Sequence, residues 1–396
     1  MMDIGKLIEK VNHPFGKYNG NEIKYILQVL DSESSETKKI SWVQRFEESF
    51  AEEVGVKYAI AVNTATSGLH AALFAAGVKQ GDEVIQPSKT VVMDAYVTIH
   101  LGATPVFADI DPNSWNISSS EIEKKITSKT KAIIVVSLYG LPVDIDPIMK
   151  LAKKHNLVVI DDSAETMVSK YKGKFAGTHA DIGVYSFEKT KHMTSGSEGG
   201  MIVSNNKKLA VLARKFAGIG YKGLTASAGR TSLAAETYQD PDYERFDLIG
   251  LNYRMNHITA AIGLAQFERI ELLVERRKKI GQMFLNAIKN CNWLISQEIP
   301  NYMDHSYYTF GVRYLGKQVK GISWKEFYNS YKEMGGDGFY ACWKPPYLEP
   351  SLYGKKIGNQ TFVEGLCPVA EEYQKTLMVF KTNYRDLKEA EKKILI

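Results

Sequence analysis

The stretch SFEKTKHMTSGSEGG, Ser186–Gly200, decides how this chain of 396 residues is interpreted. It follows one short apolar run and leads directly into a second, which places Lys191 in a Ser, Thr and Gly-rich turn between two strands. Folding gains little from a lysine at such a place. Lys189 and His192 are neighbouring candidates for chemistry. The register after Ser186 favours Lys191, because it is far enough past the strand to bend back over the sheet edge.

A pair of acids ends another apolar run about 25 residues earlier, in VVIDDSAETM (158–167). Side chains alternate along a strand, so Asp161 and Asp162 point to opposite faces, and the pattern alone does not choose between them. A lysine and a carboxylate at one sheet edge are what pyridoxal phosphate (PLP) requires. The lysine forms a Schiff base, and the carboxylate keeps the pyridine nitrogen protonated so that the ring accepts electrons. The two motifs together predict a PLP site.

Seven short apolar runs alternate with amphipathic stretches between residues 55 and 205: KYAIAV, EVI, TPVFADI, KAIIVV, LVVI, DIGVYS and GMIV. This alternation predicts an α/β fold whose mostly parallel seven-stranded sheet is covered by helices on both faces. Ligands of such sheets bind at the carboxyl ends of the strands. We expect a large PLP-binding domain over residues 15–255 and a smaller α+β domain over 256–396, with residues 1–14 packing on the smaller one.

The segment NTATSGLHAALFAAG, Asn63–Gly77, begins a helix with small and hydroxyl residues. The N–H groups and the dipole of such a helix end can hold a phosphate, to which Thr66 and Ser67 can add hydroxyl groups. Simple N-capping explains the same residues, so this motif gains weight only from the others. By contrast, the GxGxxG spacing in AGIGYKG follows a helix and lacks the strand–turn–helix context of a dinucleotide site.

Two further segments bear on the organisation of the chain. Residues 218–250 are long, polar and irregular, which is more typical of a functional loop than of a plain connection. From about Asn256 an uninterrupted helical pattern, ITAAIGLAQFERIELLVERRKKIGQMFLNAI, predicts one long helix near the domain boundary.

Composition narrows the class of protein. A formal charge of +5 with dispersed lysines argues against a nucleic-acid partner, although it favours anionic small substrates. Three widely spaced cysteines form neither a metal motif nor a disulfide framework. This odd and sparse cysteine count fits a reducing environment, so we expect a cytoplasmic protein. We expect no membrane partner, because no apolar run approaches the roughly 20 residues that a bilayer crossing needs.

Taken together, these motifs resemble the DegT/StrS family of PLP-dependent sugar aminotransferases, which have the type I fold of the aspartate aminotransferase superfamily. The resemblance implies that Lys191 forms the Schiff base, that Asp162 pairs with the pyridine nitrogen and that Glu165 lies near the phenolic oxygen. It implies further cofactor contacts from Ala65, Thr66, Val91, Ser186 and, across the subunit boundary of a homodimer with shared sites, Asn252.

The chain departs from the family at several positions. Val91, in PSKTVVMDA, stands where the family often has an aromatic ring or a histidine over the cofactor, and Asp94 is also unusual in that segment. Ser137 replaces the histidine of the usual HLYG segment, and Met378-Val379 replaces a common Leu-Pro.

The resemblance also implies a reaction in two stages. L-Glutamate donates its amino group to the cofactor, which becomes pyridoxamine phosphate, and a nucleotide-linked keto-sugar then receives it for amino-sugar and surface-polysaccharide or glycan biosynthesis. Substrate contacts are expected from Lys89, Arg230, Trp343, Lys344 and Tyr347. Two rivals remain open: a pyridoxamine-phosphate-dependent deoxysugar dehydratase, in which a histidine replaces the lysine, and a non-enzymatic sensor that keeps the fold.

Overall fold

A computed structural model describes residues 8–9, 11, 16–34, 41–229 and 234–395. The strands are β1 (Tyr58–Val62), β2 (Glu83–Pro87), β3 (Thr104–Ala108), β4 (Thr130–Val136), β5 (Val158–Asp162), β6 (Lys170–Tyr171), β7 (Lys174–Phe175), β8 (Ile182–Ser186), β9 (Gly200–Ser204), β10 (Leu294–Ser296), β11 (Met303–Asp304), β12 (Thr309–Tyr314), β13 (Tyr340–Ala341), β14 (Lys356–Ile357), β15 (Gln360–Thr361) and β16 (Leu377–Lys381).

The α-helices in the described ranges are α1 (Glu22–Ser34), α2 (Trp42–Val54), α3 (Ala65–Ala75), α4 (Met93–His100), α5 (Ser119–Lys125), α6 (Ile145–His155), α7 (Lys207–Ala217), α8 (Ala235–Gln239), α9 (His257–Phe267), α10 (Ile270–Ile288), α11 (Gly316–Lys320), α12 (Trp324–Glu333), α13 (Pro368–Gln374) and α14 (Leu387–Ile394). Two short 3-10 turns cover Leu138–Gly140 and Pro346–Leu348. None of the helices in these ranges is both long and apolar enough to span a bilayer.

The largest sheet has seven strands in the order β1-β9-β8-β5-β4-β2-β3, which confirms the predicted α/β architecture. Five of them, from β8 to β3, pair in parallel, while β9 is antiparallel to both of its neighbours. Because β9 runs in the opposite direction, its first residue lies at the edge where the other strands end. Gly200 pairs there with Ser186 on one side and with Val62 on the other.

Alternate residues of the sheet pack on opposite faces. On β1, Ile60 and Val62 belong to the cluster that holds α3, whereas Ala59 and Ala61 belong to the cluster that holds α2 and α9. Both faces of the strand are therefore buried, which explains its continuous apolar sequence.

A buried ion pair joins the helices of the two faces beside the edge strand β1. Glu47 on α2 and Arg214 on α7 make two hydrogen bonds of 2.9 and 3.0 Å, and both side chains are almost fully buried. Glu47 also accepts the backbone N–H of Ala61, and Arg214 donates to the carbonyl of Ala226. The pair thus fixes α2, β1 and the loop after α7 relative to one another.

The C-terminal part contains an antiparallel sheet, β10-β12-β16-β13, whose aromatic cluster includes side chains of α10 and α12. The predicted long helix is wrong, because it breaks between α9 and α10 at Glu268 and Arg269. Glu268 accepts a hydrogen bond from Asn21, and Arg269 pairs with Glu22 at 2.7 Å, so contacts with α1 and the residues before it set the break. The domain boundary at 255/256 stays a prediction, and most of residues 1–14 lie outside the described ranges.

Candidate active site

The amine of Lys191 contacts an acidic and an aromatic side chain. Its Nζ lies 3.4 Å from Oε1 of Glu165 and 4.3 Å from the centroid of the Tyr308 ring. The side chain is 16% exposed, so that the amine is held in place yet remains accessible to a small molecule. The turn that carries it is closed by the N–H of Lys191, which donates to the carbonyl of Glu188 at 3.0 Å.

The second carboxylate oxygen of Glu165 is held by a backbone hydrogen bond. Its Oε2 accepts the backbone N–H of Tyr139 at 2.8 Å, and Tyr139 has a left-handed backbone conformation with φ of 60°. Gly140 follows with φ of 107°, and a Cβ atom there would lie 2.6 Å from the backbone nitrogen of Tyr307. Glycine is therefore required for the chain before Tyr308 to approach this turn so closely.

The two acids that the sequence left open have different surroundings. Asp161 accepts the backbone N–H of Gly177 at 2.9 Å and the hydroxyl of Ser137 at 3.4 Å, so it is tied to the fold. Asp162 accepts the N–H of Ala164 through Oδ1 and lies within electrostatic range of Lys191. The carboxylate that the resemblance favours is thus the one brought to the lysine, at the same sheet edge.

Burial dominates the electrostatics of this cluster. Burial, opposed by the Ala164 N–H and by Lys191, raises the pKa of Asp162 to about 7. Burial also lowers the pKa of Lys191, but Glu165, Tyr308 and Asp162 more than offset it and leave that pKa above its ordinary value. Burial together with the charge of Asp162 raises the pKa of Asp94 well above its usual range. Perturbed groups that cluster in this way are typical of functional sites.

The part of the site that suits a phosphate lies over β9, which is two strands away from β5. The N-cap residue Thr64 accepts the N–H of Ser67, and the N–H groups of Ala65 and Thr66 in the first turn of α3 have no acceptor within the helix. A Cβ atom on Gly200 would lie 2.7 Å from the backbone nitrogen of Ala65. This glycine lets the first turn of α3 sit directly over the sheet edge.

The other predicted cofactor residues surround this edge. Ser186 is buried at the end of β8, where it pairs with Gly200 of β9. Asn252 is exposed, and its Oδ1 accepts a hydrogen bond from Nε of Arg254. The carbonyl of the next residue, Tyr253, accepts a hydrogen bond from the N–H of Asn63, just beyond β1. The side chain of Asn252 is therefore on the surface of the chain.

The segment around Val91 borders the site through the side chain of Asp94. Val91 is half-buried and Lys89 is buried. The hydroxyl of Thr90 donates to Oδ2 of Asp94 at 2.8 Å, while Oδ1 of Asp94 is buried with no hydrogen-bond partner in the described part of the chain. The ring cover expected from Val91 and the substrate contact expected from Lys89 stay predictions.

The predicted substrate residues of the C-terminal part differ in their exposure. Trp343 is 64% exposed and Lys344 is exposed, and their roles stay predictions. Tyr347 is wholly buried, packs on Phe107 and donates its hydroxyl to Glu371 at 2.7 Å, so it is a core residue and not the expected substrate contact. Arg230 lies outside the described residues.

Two residues of the site were not predicted from the sequence. Tyr308 precedes β12 and contributes its ring to the lysine amine, and neither a periodicity nor a motif distinguishes it. Tyr139 lies in the segment that resembles HLYG, but that motif does not indicate that its backbone N–H binds Glu165.

The residues present fit PLP. An accessible lysine amine and a buried carboxylate occupy one edge, as the aldehyde and the pyridine nitrogen require. Free N–H groups at a helix N-terminus, and the buried hydroxyl of Ser186 near them, suit the phosphate. The close approach at Gly200 keeps that helix end at the same edge.

Comparisons with known proteins identify the family of this chain. Residues 17–391 match the DegT/DnrJ/EryC1/StrS aminotransferase family. The chain is 43% identical over 276 residues to a GDP-perosamine synthase of Escherichia coli O157:H7, covering 70% of each chain. The aminotransferase structure from Psychrobacter cryohalolentis superimposes with a TM-score of 0.82 at 30% identity over 94% of both chains. A GDP-4-keto-6-deoxymannose-3-dehydratase variant with bound GDP-perosamine gives a TM-score of 0.80 at 25% identity over 95% of this chain and 97% of that one.

Proposed function

Since the chain belongs to the DegT/DnrJ/EryC1/StrS aminotransferase family and is a PLP-dependent aminotransferase, we propose that it moves an amino group from L-glutamate to a nucleotide-linked keto-sugar. One observation carries the proposal: the amine of Lys191 lies against Glu165 and within electrostatic range of the buried Asp162. The 43% identity to a GDP-perosamine synthase supports the class of acceptor, and the product would serve amino-sugar and surface-polysaccharide or glycan biosynthesis.

Each residue of the cluster has a role in this proposal. When bound, PLP supplies an electron sink for the negative charge that develops at the substrate carbon. Lys191 Nζ would hold PLP at its aldehyde carbon and, as a free amine, would move a proton to and from the substrate carbon. Asp162 would keep a proton on the pyridine nitrogen, and the first turn of α3 together with Ser186 Oγ would bind the phosphate.

Glu165 stabilises the charged form of the lysine. Its Oε1 lies 3.4 Å from Lys191 Nζ and is the main cause that raises the pKa of this amine against the effect of burial. The Tyr139 N–H on Oε2 keeps the carboxylate oriented toward the lysine. Glu165 therefore holds and orients the Lys191 amine and does not remove its proton.

A homodimer would complete the site. Asn252 is exposed in this subunit, and the neighbouring Ile249 is 94% exposed. Further exposed apolar side chains lie nearby in sequence: Phe246, Leu251 and Ile258. Exposed apolar groups of this kind mark protein interfaces, and a dimer that covers them would bring Asn252 to the phosphate of the partner subunit's cofactor.

The first test compares two lysines of the same turn. Lys191→Ala should remove the visible absorbance of lysine-bound PLP and all aminated sugar, whereas Lys189→Ala, at an exposed position, should keep both. Purified enzyme is incubated with glutamate and a panel of nucleotide-linked keto-sugars, and 2-oxoglutarate and sugar nitrogen are measured. A yellow, active Lys191→Ala enzyme would refute the assignment. Loss of water from the sugar without gain of nitrogen would instead indicate the dehydratase reaction.

The second test concerns the shared site. Lys191→Ala and Asn252→Ala are mixed, unfolded and refolded together. If sites are shared, each hybrid dimer contains one complete site, because Lys191 comes from one chain and Asn252 from the other. We expect activity well above that of either parent dimer. Activity no greater than the mean of the two parents would exclude sharing through Asn252.

A further inference from the structure

A buried guanidinium group lies behind the lysine turn. Arg277, on α10, donates from Nη2 to the carbonyl oxygens of Thr190 at 3.0 Å and Lys191 at 3.2 Å. From Nη1 it donates to the carbonyl of Tyr308 at 2.7 Å and to the hydroxyl of Thr382 at 3.2 Å. One side chain thus joins the backbone of the lysine turn to two segments of the C-terminal part.

The charge of Arg277 is buried among neutral acceptors. Its hydrogen-bond acceptors in the described part of the chain are three carbonyl oxygens and one hydroxyl, and its guanidinium carbon lies 5.7 Å from the centroid of the Tyr308 ring. Burial lowers the pKa of Arg277 to about 10, and Tyr308 opposes that change. Burying a charge without a carboxylate is costly, and an apolar residue of similar volume often serves stability as well. Stability alone therefore does not explain an arginine at this position.

Tyr308 links these contacts to the amine of Lys191. Its carbonyl oxygen accepts the shortest of the four hydrogen bonds, and the centroid of its ring lies 4.3 Å from Lys191 Nζ. The hydroxyl of Thr382, just after β16, lies 2.8 Å from the same carbonyl. A shift of Arg277 would therefore move both the backbone of Lys191 and the ring against its amine.

We propose that Arg277 is a positioning residue for Lys191, which it holds at Glu165 by fixing the backbone of the lysine turn to Tyr308. The inference rests on the proposed role of Lys191. A planar guanidinium presents several donors in a fixed geometry and can serve three carbonyl oxygens at once, which a lysine ammonium on a flexible stem does not reproduce. All four hydrogen bonds of Arg277 go to the protein, so Arg277 would act through Lys191.

The test compares PLP-loaded wild-type enzyme with Arg277→Met, Arg277→Lys and the control Arg276→Met, which removes the same charge one position earlier on α10. Arg277→Met should lower kcat about 100-fold, as a displacement of about 1 Å can, with a much smaller change in KM. It should also shift the visible absorbance of lysine-bound PLP. The kcat of Arg277→Lys should fall between those of Arg277→Met and the wild type, and the kcat and absorbance of Arg276→Met should match those of the wild type.

A second measurement keeps the proposal testable without turnover. Backbone hydrogen exchange of residues 188–192, in PLP-loaded and PLP-free enzyme, should be faster in Arg277→Met than in Arg276→Met. If Arg277→Met does not fold, Thr382→Val removes one of the four acceptors and should show a smaller effect of the same kind. Unchanged absorbance, exchange and kcat, with only a lower Tm, would overturn the proposal. Failure of the proposed function would appear separately, as retained absorbance in Lys191→Ala.

Discussion

The burial of Asp162 makes the stability of the PLP-free enzyme depend on pH in a predictable direction. Its pKa is about 7 in the folded chain, against 3.8 for the free side chain. Between pH 5 and 7 the folded state therefore binds about one proton more than the unfolded state, so stability falls as pH rises. At 1.36 kcal/mol for each pH unit this amounts to about 3 kcal/mol. The Asp162→Asn variant lacks this dependence.

The assay is urea unfolding at several pH values from 5 to 8, at one protein concentration, because subunit association would make the midpoint depend on concentration. The free energy of unfolding of Asp162→Asn, relative to wild type, should rise by about 3 kcal/mol over this range. For Asp161→Asn the same rise in the free energy of unfolding should be about 1 kcal/mol, because the pKa of Asp161 is about 6. If the difference between Asp162→Asn and wild type stays constant with pH, the reasoning from burial is refuted.

Other predictions use the same contacts. Gly200→Ala should cost about 1–3 kcal/mol of stability and weaken PLP binding in a fluorescence titration, because its Cβ would lie 2.7 Å from the nitrogen of Ala65; unchanged affinity would contradict the phosphate site. Glu47→Gln should lower the free energy of unfolding by about 3–5 kcal/mol in urea titrations, because Arg214 then loses its buried partner charge. Glu165→Gln should lower the pKa of Lys191, so that chemical acetylation of this amine in the PLP-free enzyme begins at lower pH than in wild type; an unchanged or higher pH would rule out the charge effect.

The architecture was accessible from local pattern. All seven predicted strands of the large sheet occur, because strands buried on both faces are written as short apolar runs between turn residues. Their chain order with intervening helices implies parallel pairing. Where a local pattern continued through a contact made elsewhere, prediction was wrong, as at Glu268 and Arg269. There the contacts with Asn21 and Glu22 interrupt a helix that the periodicity alone extends.

The sequence by itself determined that a lysine and a pair of acids meet at one sheet edge, because parallel strands end on the same side and the residues that follow them must converge. Only the tertiary structure decided which acid faces the lysine, since the alternation of side chains permits either. It also decided that Tyr347 packs in the core and that Tyr308 and Arg277 surround the lysine turn. The contacts of Arg277 with the lysine turn, of Tyr308 with Lys191 and of Tyr347 with Phe107 each join residues more than 80 positions apart, and no local periodicity records them.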